Sequence, residues 1–165
     1  MDISLQDTVR ITLIGAGATA LLDLWSLLLK RLGVPALNFA MVGRWIGHWH
    51  RGVFMHAAIG KAAPVKGELA LGWLFHYATG IAFAALLTAV ASAQWLRSPS
   101  VVPAIAVGVA TVIAPWFVMQ PAMGSGFASS KTPTPGKNRI RNLANHTVFG
   151  FGLYGAAFVI EWISR

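Results

Sequence analysis

Four long apolar stretches dominate this sequence and limit the folds available to it. The second and third, Leu69–Leu96 and Ser100–Met123, contain no Asp, Glu, Lys or Arg. A helix needs about 20 predominantly apolar residues to cross a bilayer. The sequence therefore predicts an all-α membrane protein in which four transmembrane helices form a bundle within a single domain, residues 1–165. The predicted spans cover about residues 11–29, 69–96, 100–123 and 143–160.

The composition excludes several other classes of protein. Of the 165 residues, 56% are hydrophobic and 11% are charged, whereas soluble domains carry about 25% charged residues. The net charge of +8 does not indicate a nucleic-acid partner, because the basic residues lie between apolar runs rather than on one basic face. The chain has no cysteine, which excludes disulfides and Cys-ligated metals.

The distribution of basic residues predicts the topology. Positively charged residues accumulate in the cytoplasmic loops of membrane proteins. One side of the predicted bundle holds ten, namely Lys30, Arg31, Arg44, Arg51, Lys61, Lys66, Lys131, Lys137, Arg139 and Arg141, and the other side holds Arg10, Arg97 and Arg165. We therefore expect loops 30–68 and 124–142 to lie in the cytoplasm and both termini to lie outside.

Asp23 is the only charged residue in the first apolar stretch. It precedes Lys30 by seven residues, or about 10 Å along a helix, which places it in the cytoplasmic half of the span. A charged side chain at the centre of a spanning helix costs about 2.5–3.5 kcal/mol on insertion scales. We therefore expect Asp23 to face protein or water. The alternative is a local bond to Thr19 or Ser26, or a pair with Lys30.

The other three spans bring polar residues to the same half of the membrane. They are His76 in the second span, Gln120 in the third, and Asn145 and His146 in the fourth. Together with Asp23 they form a predicted intramembrane polar site, since ionisable residues inside a membrane mark functional sites by default. The alternative is a polar cluster that only fixes helix packing. At the outer ends, the sequence predicts a pair between Glu161 and Arg10.

The first cytoplasmic segment contains the stretch GRWIGHWHRGVFMH. Its apolar residues recur at three- and four-residue steps, which predicts an amphipathic helix over about residues 38–55 lying in the membrane interface. Asn38 is a suitable N-cap. Arg44, His48 and Arg51 fall on the opposite face, where they suit anionic headgroups or a small anionic solute. Ordinary headgroup anchoring is the simpler interpretation.

A metal site is a further alternative. Asp23, His76 and His146 could together supply three ligands of the kind that zinc, iron or copper accepts. However, the sequence has no HExxH motif and no His pair four residues apart. The cofactor therefore stays unassigned.

Five stretches spread between residues 17 and 157 carry a resemblance to a known family. They are GATALLDLW from Gly17, VGRWIGHWHRGVFMH from Val42, GELALGWLFHYATGIAFA from Gly67, PWFVMQPAMGSGFASSKTPTP from Pro115 and HTVFGFGLYGAA from His146. The chain resembles small bacterial integral-membrane proteins grouped as domain of unknown function 2938. The resemblance implies a four-span inner-membrane protein and supplies no activity, substrate or cofactor.

Two functional classes follow from these features. The first is a small binding or transport protein with a cytoplasm-facing ion or proton site, in which a homo-oligomer would provide the room that four short helices lack. The second is a membrane enzyme acting at the cytoplasmic interface, with His76 or His146 as acid or base. No nucleophile stands out, which counts against the enzyme. A structural or accessory subunit is the third interpretation. In each case the lipid bilayer is the expected partner.

Overall fold

The computed structural model describes residues 4–164, and throughout that range the chain is helical or irregular, with no β-strand. Arg165, one of the three basic residues assigned to the outer side, lies outside the described residues. Five α-helices of nine or more residues organise the chain: α1 (Leu5–Arg31), α2 (Phe39–Gly47), α3 (Glu68–Ala91), α4 (Val101–Ala110) and α5 (Pro135–Ile163). Short 3₁₀ turns occur at Trp49–Arg51, Ile59–Lys61, Ala93–Leu96 and Phe127–Ser129.

The prediction of four spans is confirmed. Four helical segments of the described chain are long and apolar enough to cross a membrane: Leu5–Arg31, Glu68–Ala91, Val101–Ala122 and Pro135–Ile163. Many large apolar side chains on them are exposed, including Val102 at 77% and Leu74 at 68%. Such faces suit a lipid environment, where apolar side chains need no protein cover.

The helix ends differ from the limits of the apolar runs, because capping groups decide where a helix begins. Helix α1 starts at Leu5, where Ser4 and Asp7 form a capping box that satisfies two backbone N–H groups. Helix α5 starts with Pro135, a residue well suited to the first helical position. Both helices therefore begin several residues before the apolar stretch that the sequence reveals.

The third span is interrupted, as its prolines lead one to expect. After α4 the chain turns at Thr111 and then forms a π-helical turn over Pro115–Met119, followed by the short helix Gln120–Ala122. Proline lacks the backbone N–H that would continue the ordinary helical ladder, and the π-helical turn begins at Pro115. Such turns are rare and occur mostly as single-turn bulges inside α-helices.

Helix α2 is shorter than the predicted interfacial helix. Asn38 caps it as expected, since its side-chain oxygen accepts a hydrogen bond from the Ala40 amide (3.0 Å). The helix ends at Gly47 instead of extending to about residue 55. The chain instead makes a 3₁₀ turn and then adopts a left-handed conformation at Gly52 (φ 71°), which glycine accepts without steric cost.

The chain divides into two compact units. Unit 1 comprises Met1–Ala36, Tyr77–Thr111 and Ala144–Arg165, and unit 2 comprises Leu37–His76 and Val112–Leu143. Buried Ile14, Leu87 and Leu153 belong to the core of unit 1. Trp45, Ile59 and Ala122 form the buried core of unit 2.

Small residues bring the helices of unit 1 into close contact. A Cβ atom added at Gly15 of α1 would lie 2.5 Å from the Ile81 Cα of α3. One added at Gly108 of α4 would lie 2.5 Å from the Gly150 Cα of α5. Helix pairs in membranes commonly approach through such small residues. This close packing fixes the register in which the polar side chains of unit 1 meet.

Candidate functional site

Asp23 contacts a tyrosine of the neighbouring span. The Tyr77 hydroxyl on α3 donates a hydrogen bond to Asp23 Oδ2 (3.0 Å), and both side chains are partly buried. One turn earlier on α1, buried Thr19 packs directly against Gly80 of α3. Helix α1 thus meets α3 through Thr19 and Asp23.

Asn145 links α5 to α1 near the same level. Trp25 Nε1, two residues beyond Asp23, donates a hydrogen bond to Asn145 Oδ1 (3.0 Å). Both side chains are partly buried. The polar groups at Asp23 and Trp25 therefore tie α1 to both α3 and α5.

His146 contacts the end of α4. Its Nδ1 lies 2.9 Å from Thr111 Oγ1 and 3.2 Å from the Gly108 carbonyl oxygen. The Thr111 hydroxyl itself donates to the same carbonyl (2.6 Å), so its oxygen is available to accept from His146. A carbonyl oxygen can only accept, which assigns the hydrogen of a neutral ring to Nδ1. Nε2 then carries a lone pair that can take up a proton.

The five residues predicted to share one polar site are divided between the two units. Asp23, Asn145 and His146 belong to unit 1, whereas His76 and Gln120 belong to unit 2. The His76 ring lies 4.6 Å from the Phe39 ring, centroid to centroid. Gln120 Oε1 accepts a hydrogen bond from the hydroxyl of buried Ser129 (3.1 Å).

The predicted metal ligands form no recognisable metal centre. Within residues 4–164, no group of three His, Asp or Glu side chains is arranged to hold a metal ion. The trio Asp23, His76 and His146 thus finds no support as a three-ligand cluster in the described part of the chain.

Arg44 and His48 lie inside unit 2 and do not form an outer polar face. Arg44 is 8% exposed and binds Glu68 through two hydrogen bonds, Nε to Oε2 (2.9 Å) and Nη2 to Oε1 (2.8 Å). The hydrogen bonds to Glu68 raise the pKa of Arg44 above its usual value. His48 is 7% exposed and contacts His56. Of the three residues predicted to meet headgroups, only Arg51 is exposed.

Sequence reasoning missed three partners. Glu68 lies 24 residues after Arg44, and helical periodicity within one segment says nothing about so distant a residue. His56 pairs with His48 from eight residues along the chain, and the helical pattern over residues 38–55 gave no reason to bring these two rings together. Tyr77 had a detectable signal, because an antiparallel arrangement of the first two spans brings residues near 23 and near 77 to similar depth.

The comparisons with known proteins agree with the resemblance seen in the sequence. Residues 12–160 match the family described as "Protein of unknown function (DUF2938)". No curated protein and no solved structure matches the chain. Because the match extends over most of its length, the chain belongs to the DUF2938 family.

Proposed function

We propose that this protein is a small binding or transport protein of the bacterial inner membrane, with Asp23 at the centre of a proton- or cation-binding site. The observation that carries the proposal is the Tyr77–Asp23 hydrogen bond within two apolar spans. A carboxylate in such surroundings is costly unless it has a partner or a ligand. A hydroxyl that donates to it stabilises the ionised form without neutralising its charge.

The neighbouring groups of unit 1 support a cation rather than an anion as the ligand. The Tyr77 ring carries the hydroxyl that contacts the Asp23 carboxylate. Trp25, which binds Asn145, lies two residues from Asp23 on α1. The faces of aromatic rings attract cations. Neither residue carries a charge that would compete.

The proposal is tested by flux measurements in vesicles containing the purified full chain. A pH-sensitive dye inside the vesicles reports proton movement when Na⁺, K⁺ or a small organic ammonium ion is added outside. We expect Asp23→Asn to abolish a flux that the native chain supports. Asp7→Asn is the matched control on the same helix, because Asp7 pairs with Arg97 (2.7 Å) at the far end of α1. A native chain that neither moves nor binds any of these ions refutes the proposal, as does full activity of Asp23→Asn.

A second variant separates the chemistry of the site from its packing. Tyr77→Phe keeps the ring and removes only the hydroxyl that donates to Asp23. Because that hydrogen bond holds the Asp23 carboxylate in position, its loss should reduce the flux while leaving the folded helices intact. An unchanged flux would show that the hydroxyl does not act on the binding group.

We propose the topology in which loops 30–68 and 124–142 face the cytoplasm, supported by ten basic residues on that side against three on the other. The native chain has no cysteine, so single cysteines report orientation without background. Ser130→Cys and Ser98→Cys are both at exposed positions. The first should label only from the cytoplasmic side and the second only from outside. The opposite pattern refutes the topology.

We also propose that the working form is a homo-oligomer, because four short helices leave little room for a complete pathway. Counting photobleaching steps of singly labelled chains in vesicles tests this. Two or more steps per particle are expected, and single steps alone would contradict it.

A further inference from the structure

An irregular loop of unit 2, residues 53–58, is held down by hydrogen bonds at several points. Trp45 Nε1 donates to the Phe54 carbonyl (2.8 Å), and the His56 amide donates to the Ala122 carbonyl (2.8 Å). Immediately after the loop, the Ile59 amide donates to a further carbonyl (3.1 Å). The loop nevertheless exposes its apolar side chains, with Met55 at 64%. Its position therefore depends on a small number of polar contacts.

One of those contacts joins two imidazole rings. His48 Nδ1 lies 2.7 Å from His56 Nε2. The ring centroids are 5.0 Å apart and the planes differ by 28°, which is the spacing expected when two imidazoles meet edge to edge, nitrogen to nitrogen. In this arrangement one nitrogen must carry a hydrogen and the other must accept it. The contact is therefore a head-on hydrogen bond with a single shared hydrogen.

The burial of the pair assigns the direction of that hydrogen bond when both rings are uncharged. His56 Nδ1 is buried and has no hydrogen-bond partner within the described chain. A hydrogen on that nitrogen would be a buried donor without an acceptor, which is unfavourable. The ring hydrogen of His56 therefore lies on Nε2 and is donated to His48 Nδ1, and His56 Nδ1 keeps its lone pair.

The geometry suits a proton better than a metal ion. Two nitrogens that bind one metal direct their lone pairs toward a common point beside them, whereas His48 Nδ1 and His56 Nε2 face each other. Among residues 4–164, no third His, Asp or Glu completes a ligand set here. A shared hydrogen is thus the species that this pair accommodates as it stands.

The charged groups around the pair come from α2, α3, the 3₁₀ turn Trp49–Arg51 and the 3₁₀ turn Ile59–Lys61, whose Lys61 is exposed. Arg44 lies one turn before His48 on α2 and is neutralised by Glu68 of α3 through paired hydrogen bonds. His50 and Arg51 on the 3₁₀ turn are exposed. Residues 122–124, which hold the His56 segment, contain no titratable side chain. No carboxylate other than Glu68 lies on these elements to compensate two charged imidazoles.

We propose that the His48–His56 pair is a proton-binding site that holds the 53–58 loop closed and releases it on acidification. The closed pair has no favourable place for an added proton, because one hydrogen already lies at the 2.7 Å contact and another on His48 Nε2. The added hydrogen must lie on His56 Nδ1, a buried nitrogen without an acceptor, or face another N–H at the contact. A second added proton charges both rings, so the hydrogen bond is lost and two buried charges repel. Opening lets both rings reach water and become charged.

The test follows the loop with a spin label in the full chain reconstituted in lipid nanodiscs. Met55→Cys provides the only thiol, because the chain has no cysteine of its own. As the pH falls from about 8 to about 5, the range in which imidazoles titrate, label mobility should rise. The rise should have a Hill slope above one, since opening takes up more than one proton. A label at Lys137→Cys on α5 should not respond.

Three variants identify the groups responsible. His48→Asn and His56→Gln each replace one ring of the pair by an amide that cannot titrate, so in both variants the rise in label mobility should shrink and its Hill slope should no longer exceed one. His50→Ala removes an exposed histidine two residues from His48 and should behave as the native chain does. Circular dichroism confirms that each variant keeps its helices.

Three outcomes overturn the proposal. One is constant mobility of the Met55 label across the pH range in the native chain. The other is a pH response that persists unchanged in both amide variants, which would assign the titration to Glu68 or to a distant group. Loss of the response in His50→Ala would likewise refute the assignment to the buried pair.

Discussion

Two glycines of α5, three residues apart, should respond in opposite ways to the same substitution. A Cβ atom at Gly152 would lie 2.9 Å from the Ala18 Cα and 3.1 Å from the Ala18 carbonyl oxygen on α1. A Cβ atom at Gly155 would meet nothing within 4 Å. Both positions are well inside the helix. The substitution to alanine therefore differs between them only in the space available.

The magnitude follows from two terms. Replacing glycine by alanine within a helix gains up to about 1 kcal/mol in either variant. At Gly152 the new methyl group lies about 0.6 Å or more inside the 3.5–4.0 Å at which carbon atoms pack favourably, and overpacking of this kind costs about 1–3 kcal/mol. The gain from replacing glycine by alanine is the same in both variants, so it cancels when their unfolding free energies are compared. Gly155→Ala should therefore exceed Gly152→Ala in unfolding free energy by about 1–3 kcal/mol.

Unfolding by increasing SDS in mixed micelles, followed by circular dichroism, measures this difference for both variants in parallel. The shared helix and the shared substitution make each variant the control for the other. Equal free energies of unfolding, or a more stable Gly152→Ala, would show that α1 and α5 do not approach each other at Ala18. The packing of unit 1 described above would then be incorrect.

Three further substitutions test other parts of the fold. Glu161→Gln removes the charge partner of Arg10, whose side chain is 9% exposed and lies 2.7 Å from Glu161. It should lower the unfolding free energy by about 3 kcal/mol, the lower end for breaking a buried pair, because the amide still accepts a hydrogen bond. An unchanged SDS midpoint would contradict this. Gly124→Ala should destabilise unit 2 by about 1–3 kcal/mol, because Gly124 has φ +92° and an added Cβ would collide with the Ala57 carbonyl. Amide hydrogen exchange of the adjoining loop should therefore accelerate. Unchanged exchange rates there would refute the clash. Leu153→Ala, at a fully buried side chain, should cost about 2–5 kcal/mol, and a loss below 1 kcal/mol would place Leu153 outside the core.

Much of the architecture could be predicted because bilayer insertion depends on local composition. An apolar run of about 20 residues specifies a span wherever its neighbours lie, and all four spans were found in this way. The Glu161–Arg10 pair was also predicted, and the ion pair of 2.7 Å confirms it. Its signal was unusually simple, since two opposite charges near the same end of two apolar helices have few other partners.

The partners of the polar side chains could not be predicted, because periodicity orients a side chain on its own helix without naming what it meets. The helical pattern of residues 38–55 placed Arg44 on an outer polar face. In the structure the helix ends at Gly47, and Glu68 binds the Arg44 guanidinium within unit 2. For the same reason His48 was expected to be solvated, although it is buried against His56.

The sequence by itself therefore determined four apolar spans and a strong bias of basic residues, since both are properties of contiguous segments. Only the tertiary structure decided that Asp23 meets Tyr77 and that His48 meets His56. The first pair is 54 residues apart, and its register depends on where glycine lets the α1 and α3 backbones approach. Such close approaches are collective results of packing, and no single segment encodes them.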